Sequence, residues 1–313
     1  MEFPVTPLGT SFGARIEGVD LAELRQADEF VALDHLLARY GLLAFPGQRL
    51  SEADIVRVSQ AFGPLEVFFQ ARYRSLTTPE IIVLSNKLVN GKAIGLGDAG
   101  QDWHTDATYN PVPARALLLY ALEIPRDGER PLGDTEFADM YAAYDALTVE
   151  LKESLEGKFA IHDYEKFWNY MIDVKGSTRP RLTPEEIKQR PPVYHPIVMR
   201  HPVSGRKLLY ANVGNTRRII GLSRQESDAV LEFLFAHQVQ PAFCYRYRWS
   251  VGDVVVCDNL ATVHRAIGDY GPDQIRHLLR TQIRIDPAIH PGFDYTDNNT
   301  LAASAADTAS SSS

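Results

Sequence analysis

The string Gln101-Asp102-Trp103-His104-Thr105-Asp106-Ala107-Thr108-Tyr109 holds the side chains best suited to chemistry. In an extended segment residues i and i+2 project to one face, so His104 and Asp106 can offer an imidazole nitrogen and a carboxylate oxygen to one point while Thr105 faces away. Three residues thus supply two ligands of a metal site. Two histidines and one carboxylate, with the opposite positions open, suit oxygen-activating Fe(II). A His-x-Asp pair alone is a weak signal, because such pairs arise by chance and commonly make surface hydrogen bonds. The third ligand has to come from elsewhere.

His264 is the candidate. It follows Trp249-Ser250-Val251-Gly252-Asp253, in which Gly252-Asp253 reads as a turn, and the buried strand 254–257. Twelve residues past His264 begins Arg276-His277-Leu278-Leu279-Arg280-Thr281-Gln282-Ile283-Arg284. Alternation puts Arg276, Arg280 and Arg284 on one face and Ile275, Leu279 and Ile283 on the other. With the apolar set packed outward beneath helices, the arginines line a barrel interior, where a guanidinium needs an anion and its planar fork matches a carboxylate. The competing reading is internal ion pairing with acidic residues such as Asp258. Asp258-Asn259 itself reads either as support for the His264 ring or as a plain turn.

These side chains need a sheet to position them. Segment 3–19, punctuated by Gly9, Gly13 and Gly18, reads as short strands and turns. Phe30, Leu33, Leu36 and Leu37 predict a helix over about 28–40, and Ser51 caps a second carrying Ile55, Val56, Val58 and Phe62. Segments 42–45, 81–84 and 116–122 read as buried strands, and 140–155 as one helix. Segment 164–192, polar and rich in Pro, Lys and Arg, reads as a mobile loop over a site. A strand at 207–212, a helix at 225–237 and strand-like runs at 242–249, 254–258 and 276–285 follow. Strands early and late, with helices outside a mostly antiparallel sheet, predict a mainly β fold with flanking helices around a jelly-roll core. One domain is expected over 1–295, with 296–313 a disordered tail, since AASAADTASSSS cannot offset its ordering entropy.

Composition narrows the function classes. The chain of 313 residues carries a net charge of −8 and has no Lys/Arg block fit to neutralise phosphates, so nucleic acid is not an expected partner. Cys244 and Cys257 are its only cysteines, with no C-x-x-C pair, which argues against a disulfide framework or structural zinc and for a reducing, cytoplasmic compartment. Neither a signal-peptide pattern nor an apolar run near the roughly 20 residues of a membrane span occurs, so no membrane role is expected.

The separated motifs Trp103-His104-Thr105-Asp106, Gly133-Asp134-Thr135, Trp249-x-x-Gly252-Asp253-x-x-x-x-Asp258-Asn259-x-x-x-x-His264-x-Ala266 and Arg276-x-x-x-Arg280 occur in one order. Together with Thr6-Pro7-Leu8-Gly9 and Phe62-Gly63-Pro64-Leu65, they resemble the taurine dioxygenase family of Fe(II)/2-oxoglutarate dioxygenases, which includes the 2,4-dichlorophenoxyacetate enzyme, over roughly 4–290. The resemblance implies iron ligation by His104, Asp106 and His264, and binding of the distal carboxylate of 2-oxoglutarate by Thr135 and Arg276. It further implies contact of Arg280 with a small-molecule substrate's carboxylate or sulfonate. The implied reaction consumes O2 and 2-oxoglutarate, releases succinate and CO2, and hydroxylates the substrate, cleaving it where the carbon bears a leaving group. Dimers or tetramers are common among similar enzymes, so a homo-oligomer is expected.

Two departures stand out. One more residue separates His264 from the first arginine than in the taurine enzyme, which bears on the register of Arg276 against Arg280. The polar taurine contacts are also missing, replaced by Leu65-Glu66-Val67-Phe68-Phe69 and Gly100-Gln101-Asp102, which implies a larger or more apolar substrate. Phe68, Tyr73, Asn86, Trp168 and Tyr170 are candidate pocket residues, although aromatics in a barrel are more often core. Trp103 and Trp249 read as packing. Two other functions compete: a non-catalytic binding or sensor protein on the same fold, and a zinc hydrolase using the same three ligands. A sensor has no need of an oxygen-activating triad, and no general-base Glu sits beside the histidines.

Overall fold

The longest apolar strands of this chain are buried on both faces, and that decides the architecture. In the computed structural model, which describes residues 3–9 and 12–290, ten strands build two facing sheets. They are β1 (Val5–Pro7), β2 (Ala14–Ile16), β3 (Leu42–Phe45), β4 (Ile82–Ser85), β5 (Ala114–Glu123), β6 (Thr135–Asp139), β7 (Cys244–Tyr247), β8 (Val254–Asp258), β9 (Thr262–Ala266) and β10 (His277–Arg284). The large sheet runs β1-β2-β3-β8-β5-β10-β4 and the small one β7-β6-β9. Pairing is antiparallel except between β2 and β3. The tail expected at 296–313 lies outside the described residues.

Period-two alternation sorts the core. Leu43, Leu118, Tyr120, Val254, Val256, Leu279 and Ile283 pack under Phe30, Leu33 and Leu37 of α1 (Ala27–Tyr40) and Ile55 and Val58 of α2 (Glu52–Gln60). Their neighbours Leu42, Leu117, Leu119, Val255, Cys257 and Leu278 face inward, toward Phe137 and Tyr247 of the small sheet and Trp249 just beyond it. Each side chain so buried contributes about 1.5–3 kcal/mol. The result is a jelly-roll core with helices on its outer face, as the sequence predicts. Gly41 ends α1 at φ 70, and a Cβ there would lie 2.6 Å from the Phe12 ring, so the position admits only glycine. No helix among the described residues is long and apolar enough to cross a membrane.

Three sequence expectations need correction. The helix over 140–155 is two, α3 (Met140–Asp145) and α4 (Val149–Leu155), because the Thr148 hydroxyl accepts the Leu151 N–H and starts a new helix. Segment 164–192 is not a loop: it contains α5 (Tyr164–Asp173) and α6 (Pro184–Lys188). Asp163 caps α5, which buries Tyr164, Trp168 and Met171 at i, i+4 and i+7, while Thr183, Pro184 and Glu186 form a capping box on α6. The polar remainder of the segment hides that stripe. Finally, Arg284 does not share the interior face of Arg280, because a register irregularity between Ile283 and Arg284 turns it into solvent.

A buried ion cluster ties α1 to the sandwich. Arg115, fully buried on β5, donates to Asp258 on β8 at 2.7 Å and to Asp34 on α1 at 2.7 Å, with His201 facing Asp258 at 3.0 Å. Burial works to raise the Asp258 pKa, but Arg115 and His201 outweigh it and hold the carboxyl at about 2. The unfolded value is about 3.9, so this contribution to stability is complete above about pH 4 and is lost as pH falls toward 2. Arg115→Met strands two carboxylates and is expected to cost about 3–5 kcal/mol in chemical denaturation and to move the acid-unfolding midpoint to higher pH. An unchanged midpoint in both measurements would show that the cluster is not a structural tie.

Candidate metal centre

His104 and His264 are joined through their backbones before their side chains meet. His104 N–H donates to the His264 carbonyl at 3.0 Å and His264 N–H returns the bond at 2.8 Å, an isolated antiparallel bridge at the edge of β9. Directly opposed residues share a face, so the two rings converge, with centroids 4.3 Å apart. Asp106, two residues past His104, presents its carboxylate to the two rings, and the chain turns from residue 106 onward. Asp106 Oδ1 lies 3.6 Å from His104 Nε2 and Oδ2 lies 3.8 Å from His264 Nε2, and one ligand atom from each residue falls within 4.8 Å of the others.

The donor set fits a divalent metal bound on one face. His104 Nδ1 sits 2.8 Å from the Asp102 carbonyl, which fixes Nδ1 as the protonated nitrogen and leaves Nε2 free to ligate. Burial and the neighbouring His104 pull the His264 pKa down to about 3, so its imidazole is neutral at pH 7. Burial opposes ionisation of Asp106, yet Arg280 and the two histidines hold its carboxyl far below the usual range. Both groups are therefore already in the protonation states a metal requires. The His104 ring lies nearly parallel to Phe167 of α5, and the His264 ring is flanked by Phe137.

Beside the triad is a buried cation. Arg276, immediately before β10, donates from Nε to the Gly133 carbonyl at 2.9 Å and from Nη2 to Thr135 Oγ1 at 3.3 Å. It has no carboxylate within ion-pair distance among the described residues, and burial lowers its pKa. Thr135 Oγ1 also accepts from Trp249 Nε1 at 2.9 Å, so its own hydrogen is free to be given to an anion. Thr135 pairs with Ala266 across β6 and β9, two residues along from the Phe137–His264 pair, which places the hydroxyl and the His264 ring on one face.

The structure separates the two arginines whose register the sequence left open. Arg276 goes to Thr135; Arg280 donates from Nη1 to Asp106 Oδ2, while its buried Nε has no partner among the described residues. Neither pairs with Asp258, which is taken by Arg115. Phe68 lies on the wall of the cavity above the triad, with Ile82, Leu84, Leu96, Tyr109 and Trp168. Tyr73 and Asn86 line a neighbouring surface pocket instead. Asn86 has its amide engaged in backbone bonds, donating to the Gln274 carbonyl at 3.0 Å and accepting the Arg276 N–H at 2.9 Å, so it braces the anion corner from behind. Trp249 is more than packing, because it aims the Thr135 hydroxyl.

Sequence reasoning placed 164–192 over a site and Trp168 at the pocket, but missed the helix there and the parts played by Tyr164, Phe167 and Arg179. Tyr164, Phe167, Trp168 and Arg179 close the cavity from the α5 side. Arg179 is fixed by Asp98 at 2.8 Å and stacks 4.6 Å from the Trp168 ring. The helical stripe Tyr164, Trp168, Met171 was the available signal for α5; no local signal marks the Arg179–Asp98 pair.

The chain matches the family model described as "Taurine catabolism dioxygenase TauD, TfdA family" over residues 4–282. It is 34% identical to the alpha-ketoglutarate-dependent 2,4-dichlorophenoxyacetate dioxygenase of Cupriavidus pinatubonensis, across 92% of this chain and 100% of that protein. It is 33% identical to pentalenolactone F synthase of Streptomyces avermitilis, across 90% and 94%. Among solved structures it is similar to AAD-2 in complex with Mn(II) and N-oxalylglycine, with a TM-score of 0.74 and 28% identity over 91% of this chain and 98% of that one.

Two glycines allow a selective test of the geometry. A Cβ on Gly100 (φ +68) would lie 2.9 Å from His104 Cε1, and one on Gly133 (φ +74) would lie 2.8 Å from Arg276 Cδ. Gly100→Ala is expected to weaken binding of a divalent metal about tenfold or more, the loss that disturbed ligand support typically brings. Gly133→Ala is expected to leave metal binding intact while weakening binding of a dicarboxylate. Calorimetric titration of each ligand against each variant checks this, and equal effects of both substitutions on both ligands would contradict it.

Proposed function

The chain belongs to the TauD/TfdA dioxygenase family, and from that footing we propose that it hydroxylates a monoanionic substrate with an apolar body, a carboxylate or a sulfonate. It is an Fe(II)- and 2-oxoglutarate-dependent oxidoreductase. Iron(II) with 2-oxoglutarate and O2 supplies the hard step: oxidative decarboxylation to succinate and CO2, coupled to hydroxylation of a C–H bond. The catalytic reading is favoured over a sensor on the same fold, since the named relatives are enzymes.

In this reading His104, Asp106 and His264 hold the metal, and Arg276 with the Thr135 hydroxyl grips the far carboxylate of 2-oxoglutarate. The observation that carries the substrate class is the charge left in the cavity. Asp106 offsets one positive charge and a bound 2-oxoglutarate dianion two more, against a divalent metal, Arg276 and Arg280. Arg179 is neutralised by Asp98. One positive charge therefore remains, and Arg280, held to Asp106 through Nη1, places it at the cavity wall, which suits a single anionic head group. The remaining wall is Phe68, Ile82, Leu84, Leu96 and Trp168, which suits an aryl or branched alkyl body. 2,4-Dichlorophenoxyacetate, the substrate in the name of the Cupriavidus relative, has this form. A homo-oligomeric, cytoplasmic enzyme completes the proposal.

Anaerobic Fe(II) and 2-oxoglutarate are expected to give a weak visible charge-transfer band that His264→Ala abolishes. Arg276→Ala is expected to weaken 2-oxoglutarate binding by about 2 kcal/mol or more, roughly thirtyfold. Succinate release should then be screened with aryloxyalkanoates, sulfonates and their neutral amides. The acid is expected to exceed its amide in kcat/KM for the wild type, and Arg280→Ala is expected to erase that preference. A preference for neutral substrates would sink the proposed substrate class, and absence of the band in the wild type would sink the reaction itself.

A further inference from the structure

We infer that Asn259 is a positioning residue for Asp106, its side-chain amide standing in for the ladder hydrogen bonds that Asp106 lacks. The inference rests on the metal-binding reading of the triad and adds a residue to it.

His104 exchanges two hydrogen bonds with His264, and Thr105 Oγ1 donates to the Thr262 carbonyl at 3.2 Å. One residue further, Asp106 stands opposite Thr262, the first residue of β9, but no ladder bond joins them: the Thr262 carbonyl takes the Thr105 hydroxyl, and beyond it the hairpin turn leads back to Asp258 at the end of β8. Left without a partner in this interior, the Asp106 N–H and C=O would be costly to bury. Asn259 supplies both partners. Its Oδ1 accepts the Asp106 N–H at 3.1 Å and its Nδ2 donates to the Asp106 carbonyl at 2.9 Å, while the second hydrogen of Nδ2 reaches the Ala114 carbonyl at 3.1 Å. A primary amide has one donor and one acceptor side by side, as a strand residue does, so it can continue the ladder for one position. Asn259 is fully buried, and its full amide capacity on this side is used.

The clamp is itself held. Asn259 N–H donates to the Arg115 carbonyl at 3.0 Å, and Asp258 Oδ1 accepts the N–H groups of Leu260 and Ala261 at 3.1 Å each, which makes the turn rigid. Directly after the gripped residue, Ala107 adopts φ 56, a left-handed conformation that a non-glycine residue takes only when its surroundings enforce it. The grip holds the Asp106 backbone where its carboxylate faces the two imidazoles, and the kink at Ala107 turns the chain away directly after it. The support that Asp258-Asn259 offers is thus to the carboxylate ligand, whereas His264 Nδ1 has no hydrogen-bond partner among the described residues. Arg276 and Thr135 sit on other strands, so the grip on the co-substrate's far end is independent of Asn259.

The test separates positioning from general stability. In anaerobic apoprotein, Fe(II) affinity is titrated through the charge-transfer band with 2-oxoglutarate, and Mn(II) affinity by electron paramagnetic resonance, for the wild type, Asn259→Ala and Asn259→Asp. The aspartate keeps the volume and the Oδ1 acceptor but loses the donors to the Asp106 and Ala114 carbonyls. Both variants are expected to bind metal about 10–100-fold more weakly, the usual range for losing a ligand's support. At saturating metal, the 2-oxoglutarate KM is expected to stay within about twofold of the wild type, a split that mere destabilisation would not produce. Metal affinity within twofold of the wild type in a folded variant would overturn the role of Asn259 and leave the iron reading standing; a wild type with no band would overturn the iron reading itself. If neither variant folds, hydrogen exchange of the wild-type Asp106 amide decides: protection matching the β9 amides supports the clamp, and exchange at the rate of an open turn refutes it.

Discussion

His104 and His264 exchange two backbone hydrogen bonds, and the candidate metal centre exists only where that exchange is made. The bridge belongs to the main chain, so it fixes the spacing of two imidazoles without relying on side-chain rotamers. It in turn needs β9 held in place, and β9 is held by β6, whose Phe137 and Thr135 lie opposite His264 and Ala266. The small sheet therefore serves as the floor of the site, while the large sheet supplies burial through strands packed on both faces.

Much of this was legible in the residues. Segments 254–257 and Leu42–Phe45 are apolar at every position, which marks central strands, and the alternation of Leu279 and Ile283 against Arg280 correctly separated the helix-covered face from the interior. His104, Asp106 and His264 were singled out by residue type and motif. What stayed hidden depends on contacts between distant segments. The break before Val149 turns on a single hydroxyl, the departure of Arg284 on a register irregularity, and the roof on a pair between Arg179 and Asp98 that no local pattern encodes.

Three arginines show how surroundings, rather than residue type, set a side chain's use. Arg115 is saturated by two carboxylates and contributes to holding α1 on the sandwich. Arg276 is equally buried but meets only a carbonyl and a hydroxyl, so its charge stays available to a ligand. Arg280 stands between these extremes, with one nitrogen on Asp106 and another edge toward the cavity.

The roof over the cavity is one continuous stretch of chain. Its helix carries its own cap at Asp163, sets Tyr164 against Trp168 and Tyr109, and is tied to the body through Asp163 with Asn215, Lys166 with the Val213 and Thr216 carbonyls, and Arg179 with Asp98. The metal-holding residues come from a different part of the chain and are braced from below. Such a division lets the ceiling be rebuilt for a guest of another shape while the reactive floor keeps its dimensions, so selectivity and reactivity can drift apart in lineages that share this scaffold.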